Sequence, residues 1–378
     1  MNRRELLRLA TIAPFCGVLS GVTKGDEFSG NRQLVLIELK GGNDGLNTLI
    51  PFQDSYYYRA RPKIAIKPSS VQRLTTTMGM HPSLASLMPL WSDGHLAWAM
   101  GLGYPNPNRS HFRSIEIWET GSKASEYLDQ GWIAQVLTRS NRPLTGVSLD
   151  NDLGPLHGHS GCLVLPRKMR FSSSLVATNL SNARNNNSQL KHILDVRSRA
   201  YKAFNILEDE LSRITPLNLQ MPKTSLSRQL TDVLRLQLTG LPIKVFKVSL
   251  GSFDTHINQS GLHANLLKQL AESLYAYSTE AKRLKLWDQT VLVTYSEFGR
   301  RVQENSSRGT DHGTAASHLV AGGAVNGGMY GKHPRLNQLD HGDLVYTIDF
   351  RSLYANLARS LLGPVPVEYR HHDHLNIV

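Results

Sequence analysis

Cysteine is nearly absent, with Cys16 and Cys162 the two in 378 residues. Cys16 falls in a segment that reads as a leader, so the remainder carries one thiol. That excludes an internal disulfide framework and leaves the redox compartment unmarked. No sequence neighbour marks Cys162 as a nucleophile, and it reads as a small buried hydrophobe. No apolar run is long enough to stay across a bilayer as a helix. Repeats and collagen-like or coiled-coil bias are also missing, and 40% hydrophobic with 19% charged residues describes a folded, soluble chain. The length admits one large α/β domain with insertions or two domains.

Acidic residues are in deficit, 30 against 42 Lys and Arg, giving a formal net charge of +12. Arg3, Arg4, Arg8 and Lys24 against Glu5 place +3 of that in the leader and leave +9 for the rest. The remaining charges come singly or in short groups, such as Arg59, Arg61 and Lys63 or Arg167, Lys168 and Arg170. No nucleic-acid-binding motif surrounds them, so nucleic acid is not the expected partner. An anionic small molecule, polymer or surface is the better use of the excess.

Asn2-Arg3-Arg4-Glu5-Leu6-Leu7-Arg8, followed by the moderately apolar stretch Leu9 to Leu19, resembles a twin-arginine export signal over residues 1–24. An amphipathic first helix is the alternative, but Pro14 and Gly17 would interrupt it. The expected partner is therefore the twin-arginine export machinery, with the protein periplasmic or extracellular and without a stable transmembrane span.

Residues 25–378 read as a single domain. Leu34–Leu39, His95–Leu102, Ile243–Leu250, Thr290–Thr294 and Leu319–Val325 have the length and flanking glycines of buried strands. Ser83–Trp91, Ser110–Thr120, Leu262–Leu286 and Asp349–Leu362 show helical spacing, with Gly121 stopping the second. Strands alternating with helices predict an α/β fold with a mostly parallel sheet covered on both faces. Ser172–Asn187 reads as a loop, and the helical patterns Leu190–Ile214 and Leu226–Leu238 predict a helical insertion, cap or lid over about residues 165–240.

Polar motifs sit where such sheets bind ligands, at strand ends. Gly41-Gly42-Asn43-Asp44-Gly45 lets Asn43 and Asp44 face the edge, though an Asx turn uses the same residues. In extended Asp254-Thr255-His256 the two outer side chains point the same way, a carboxylate oxygen and an imidazole suited to zinc, manganese or iron. Glu297 can act as ligand or general base, with Arg300 or Arg301 holding an anionic substrate. Asp311 and His312 add two candidate ligands in a glycine-flanked turn. Ser110 reads as a helix N-cap whose hydroxyl is also placed to attack a phosphoryl or sulfuryl centre, with Arg109 nearby for charge. His157 and His159 form a further His-x-His, and Arg370-His371-His372-Asp373-His374 reads as an adventitious metal binder.

The ordered set LKGGNDGLNTLIP, PNRSHFRSIEIWETG, FDTH, TYSEFGR, GTDHGTA and GGAVNGGMYG, behind that leader, resembles the DUF1501 family of exported bacterial proteins. That family is in turn distantly similar to the alkaline phosphatase and sulfatase superfamily. The resemblance implies a three-layer α/β/α sandwich, alkaline-phosphatase-like, with two metal ions and a helix-start nucleophile. It matches Asp44 to the first-strand Asp ligand, Ser110 to the nucleophile, Asp254 and His256 to an Asp-and-His pair, and His312 to the late His ligand. Two departures stand out: a single residue separates Asp254 from His256, and Glu297-Phe298-Gly299 replaces an Asp-His-Gly. The sulfatase Cys-x-Pro-x-Arg signature is missing, which argues against a formylglycine sulfatase.

The expectation is a metal-dependent hydrolase of phosphate or related anionic esters, with one or two divalent ions, zinc, manganese, magnesium or calcium, at Asp44, Asp254, His256, Glu297, Asp311 and His312, and with Ser110, Arg109 and Arg300 as catalytic groups. The competing expectation is a non-catalytic exported binding or surface-assembly protein that keeps the fold.

Overall fold

A continuous apolar run such as Leu34–Leu39 buries both of its faces, which only the middle of a covered sheet provides. The computed structural model describes residues 32–137, 144–165, 188–363, 365, 369–370, 372 and 374–378. The leader and the Ser172–Asn187 loop lie outside the described residues, as do His371 and Asp373 of the C-terminal run. The main sheet has nine strands: Gln33–Leu39 (β1), Leu96–Gly103 (β2), Gly146–Ser148 (β3), Cys162–Val164 (β4), Val245–Leu250 (β5), Thr290–Tyr295 (β6), Ala316–Gly322 (β7), Gly328–Tyr330 (β8) and Ile348–Asp349 (β9). Their spatial order is β8-β2-β7-β6-β1-β5-β3-β4, with β9 also paired to β2. β1 lies parallel between β5 and β6, pairing Glu38 with Ser249 on one side and with Tyr295 on the other.

Only β7 runs against its neighbours β6 and β2. The sheet is thus mostly parallel, as the sequence predicts, with one reversal. β7 begins at Ala316 rather than Leu319, so its start lies on the same edge as the end of β6.

Alternation along β1 builds two cores. Val35, Ile37 and Leu39 face one layer, made with the helices Ser225–Leu238 and Gln259–Arg283, while Leu34 and Leu36 face the other, made with His111–Thr120, Trp132–Leu137 and Phe350–Leu357. In chain order these helices are His111–Thr120 (α1), Trp132–Leu137 (α2), Ser188–Arg213 (α3), Ser225–Leu238 (α4), Gln259–Arg283 (α5) and Phe350–Leu357 (α6). Helices on both faces make an α/β/α sandwich. Each fully buried Leu or Val in these layers contributes about 1.5–3 kcal/mol.

Within the span read as a helical insertion, cap or lid, helices α3 and α4 pack against one face of the sheet. Leu226, Leu230, Val233 and Leu234 of α4 lie in the first core with Phe204 and Leu207 of α3. Gln229 of α4 also accepts from Ser249 N at 2.9 Å and donates to Ser249 O at 2.8 Å, completing the edge of β5 beyond the short β3. The expected Ser83–Trp91 helix is a tight 3-10 segment, Pro82–Leu87, leading into Met88–Ser92. Gly121 ends α1 in the left-handed conformation expected of a helix stop.

Candidate metal centre

The loops after β1, β5 and β6 meet at the carboxyl edge of the sheet, and the segment 296–315 returns there because β7 is reversed. Contact between the first two loops requires glycine at position 41. Gly41 has φ +114°, and a Cβ on it would lie 2.4 Å from Asp254 N. Arg300 fastens all three loops, donating from Nε to Gly42 O at 2.7 Å, from Nη1 to Thr310 O at 2.8 Å, and from Nη2 to Phe253 O at 3.1 Å and Asp254 Oδ1 at 2.6 Å. The expectation that Arg300 clamps an anionic substrate is therefore corrected: its guanidinium is fully buried against backbone carbonyls and Asp254.

Three imidazoles gather around Asp254. His256 Nε2 lies 3.0 Å from both Asp254 Oδ1 and His312 Nε2. His312 Nε2 lies 3.4 Å from Asp254 Oδ1, and His111 Nε2 lies 3.7 Å from Asp254 Oδ2. The opposite ring nitrogens all face outward onto oxygens: His111 Nδ1 onto Glu297 Oε1 at 2.8 Å, His312 Nδ1 onto Arg109 O at 2.9 Å, and His256 Nδ1 onto Asp311 Oδ1 at 3.3 Å. A carbonyl oxygen only accepts, so His312 Nδ1 carries the proton and its Nε2 faces inward, while His111 and His256 each have carboxylate oxygens near both ring nitrogens. Lone pairs 3.0 Å apart repel unless a proton or a cation lies between them.

That donor set fits a divalent metal. Imidazole nitrogens plus one carboxylate, each histidine fixed by an outer oxygen, are the arrangement in which metal-binding histidines are held. His312 is depressed below its ordinary range, chiefly by burial and then by the nearby Arg300, His111 and His256 charges, against its bond to Arg109 O. The neutral, ligating form is favoured. Burial pushes the Asp254 carboxyl up, but the Arg300 bond and charge outweigh it and keep it ionised.

The structure reassigns several expected ligands. Glu297 and Asp311 orient histidines from outside the centre. Asp44 stands apart: Oδ1 caps the short helix Gly45–Thr48 by accepting from Leu46 N and Asn47 N, and Oδ2 pairs with buried Arg61 at 2.6 Å and accepts from Gln259. Burial raises the Asp44 carboxyl, and the Arg61 charge more than reverses that. Arg109 pairs with Asp343 at 3.0 Å. Ser110 does occupy the N-cap position of α1, but its exposed hydroxyl makes no capping bond and is available beside His111. His111 itself was not among the ligands the sequence nominates. The signal was present, a histidine directly after Ser110 in the first turn of a helix aimed at the same edge.

A second group, Glu38, Asp150 and Asp152, also has ligand-like spacing. Here the cation is supplied by the protein. Lys247 Nζ, fully buried, lies 3.0 Å from Glu38 Oε2 and 3.1 Å from Asp150 Oδ2 and also touches Asp152. Lys40 adds a 2.5 Å contact to Asp150. His159, of the His-x-His noted in the sequence, accepts from Gly161 N in its own turn. Burial pushes the Cys162 thiol up to about 12, which suits the inert role expected of it.

Below the centre, His263 bonds Asn43 Oδ1 at 2.9 Å and lies edge-on to His81. Burial lowers both to about 4, and it lowers His318, whose ring nitrogens have no partner, to about 3. An unfolded chain would take up these protons near pH 6.5, so the unfolded state binds more protons between about pH 6.5 and 4, and stability falls as pH falls through that window. Urea midpoints measured from pH 7 to 4 should decline, by up to about tenfold in the folding constant per pH unit for each histidine. A flat profile in His263→Gln relative to wild type would not be expected, because His81 and His318 remain; a reduced slope would.

No helix among the described residues is long and apolar enough to cross a membrane. Several solved structures are similar at low identity. Ps i-CgsB in complex with k-i-k-neocarrahexaose shares 12% identity over 91% of this chain and 75% of that one, with a TM-score of 0.42. A protein in the alkaline phosphatase superfamily from Vibrio parahaemolyticus shares 11% over 81% and 63%, at 0.37. Human ectonucleotide pyrophosphatase/phosphodiesterase 5 shares 10% over 71% and 57%, at 0.31. No curated relative matches the sequence. The family described as protein of unknown function, DUF1501, matches residues 31–361, most of the chain, and the protein belongs to that family.

Proposed function

We propose that this protein is a metal-dependent hydrolase of phosphate or related anionic esters, exported by the twin-arginine route and acting in the periplasm or outside the cell. The observation that carries the reading is the shared orientation of His111, His256 and His312, each with Nδ1 on an outer oxygen and Nε2 toward Asp254. His111, Asp254 and His312, whose ligand atoms lie within 4.8 Å of one another, would hold one ion with His256 beside them, and this nitrogen-rich set favours zinc, or manganese or iron, over magnesium or calcium. A bound ion would supply Lewis-acid polarisation of the ester oxygen.

The chain's own groups do the rest. Glu297, Asp311 and the Arg109 carbonyl fix the imidazoles. The Ser110 hydroxyl, unused as a cap at the start of a ten-residue helix, is the proposed nucleophile toward the ester centre, where the helix N-terminus favours negative charge. The Arg3-Arg4 leader supports the export route, and the positive charge of the chain supports an anionic substrate.

Metal analysis of protein purified without a His tag tests this directly. The expected result is about one equivalent of a transition metal that survives mild chelation, together with turnover on a panel of phosphate and sulfate monoesters. Protein that stays metal-free after incubation with zinc and manganese, or that binds metal and turns over no ester, would favour the binding or surface-assembly role instead.

A further inference from the structure

Beside the histidine cluster lies a recess of about 380 Å³, a size usual for small-ligand sites, whose lining includes Tyr104, Pro107, Arg109, Phe298, Asp343 and Tyr346. It adjoins the cluster directly. The Phe298 ring centroid is 4.6 Å from that of His312 and 4.9 Å from that of His111, and the Arg109 carbonyl accepts from His312 Nδ1. A group bound at the cluster would therefore have its attached portion in or over this recess.

Asp343 is the unusual member of the lining. It is 3% exposed, and the hairpin Leu339–Leu344 holds it in place. Its Oδ2 pairs with Arg109 Nη1 at 3.0 Å, but its Oδ1 has no hydrogen-bond partner among the described residues, the Arg301 Nε standing 3.7 Å away. A buried acceptor without a donor costs about 1–3 kcal/mol, which a ligand hydroxyl would recover. The Arg109 side chain that pairs with it is 42% exposed. The rest of the lining mixes apolar and aromatic residues, such as Phe298 and Tyr346, with the polar side chains of Asn106, Asn108, Asp340 and His341. Apolar faces next to a buried acceptor match a ring whose faces are C–H and whose edge is O–H.

We propose that this recess binds the alcohol portion of the ester and that this portion is a polyhydroxylated ring, a sugar, with one hydroxyl donating to Asp343. The inference rests on the hydrolase reading and deepens it by naming the substrate class. Burial pushes the Asp343 carboxyl up, with the Arg109 and Arg301 charges working against it.

Two measurements test it. In the first, kcat/KM for a hexose phosphate is compared with that for propyl phosphate. The wild type should prefer the sugar ester, and Asp343→Asn should reduce that preference about 10–100-fold, mostly through KM, as loss of a charge-assisted hydrogen bond requires. Tyr346→Ala, which leaves the ion pairs intact, should lower it in the same direction. In the second, saturation-transfer NMR of the intact protein with glucose and galactose should show ring-proton signals that Asp343→Asn abolishes and Asp254→Ala keeps. Equal kcat/KM for both esters together with no sugar signal would overturn the proposal, leaving only water in the recess, while the hydrolase reading would stand. Sugar signals dependent on Asp343, with no ester turned over, would uphold the recess as a sugar site and remove the hydrolase.

Discussion

Asp254→Ala is expected to empty the metal centre and to reduce ester turnover by on the order of 10³-fold or more. Asp254 is the one carboxylate that all three imidazoles approach, at 3.0, 3.4 and 3.7 Å from its oxygens. Its removal also takes away the carboxylate paired with buried Arg300 at 2.6 Å, leaving Nη2 on the Phe253 and Gly41 carbonyls, so the variant's thermal midpoint must be measured alongside. Glu297→Gln, which weakens the outer hold on His111 and changes the group that accepts from Gly41 N and Ser296 Oγ, should cost about 10–100-fold in metal affinity or turnover. Ser110→Ala should keep the metal and lose turnover to an extent similar to Asp254→Ala, because no buried bond depends on that hydroxyl. Metal retained in Asp254→Ala, or full turnover in Ser110→Ala, would respectively remove the centre or the nucleophile from the assignment.

Lys247→Ala is expected to be the most destabilising single change outside the centre, by about 3–5 kcal/mol, because it leaves buried carboxylates uncompensated. Lys247 Nζ is enclosed by Glu38, Asp150 and Asp152, and Glu119 lies near enough for its carboxyl, raised by burial to about 8, to respond to the same charge. For Lys247 itself burial lowers the pKa, and the surrounding carboxylates, Glu38 first, more than reverse this, so the group stays charged. Chemical denaturation gives the readout. A midpoint within the range of ordinary surface substitutions would mean that the group is hydrated rather than buried. Added zinc or manganese rescuing the variant's stability would show that the three carboxylates can take a metal once the ammonium is gone.

How far the chain was legible can be followed residue by residue. The parallel core strands were readable because burial on both faces demands unbroken apolar runs, and Leu34–Leu39 is one. The reversal of β7 was not. Its sequence is as apolar as that of a parallel strand, and its direction depends on the loop 296–315 returning to the edge it left. That same return brings His312 to Asp254. Sequence spacing alone could not distinguish the inner ligands from their outer supports, since Asp44, Glu297 and Asp311 have the same chemistry and the same strand-end placement as Asp254. What separates them is which partner each meets: Arg61 for Asp44, His111 for Glu297 and His256 for Asp311.

The sequence by itself determined the sandwich, the edge at which polar residues collect, and the residue types gathered there, because these follow from periodicity and from glycines that let loops turn. Tertiary structure decided which of those residues face inward. It buried Arg300 as a brace, turned Asp44 into a capped and paired anchor, brought in His111 from the start of α1, and left Ser110 exposed beside it. The physical reason is that the deciding hydrogen bonds and ion pairs join residues far apart in sequence, Asp254 to Arg300 across 46 positions and Arg109 to His312 across 203, and no local pattern encodes which distant partner will satisfy a given donor.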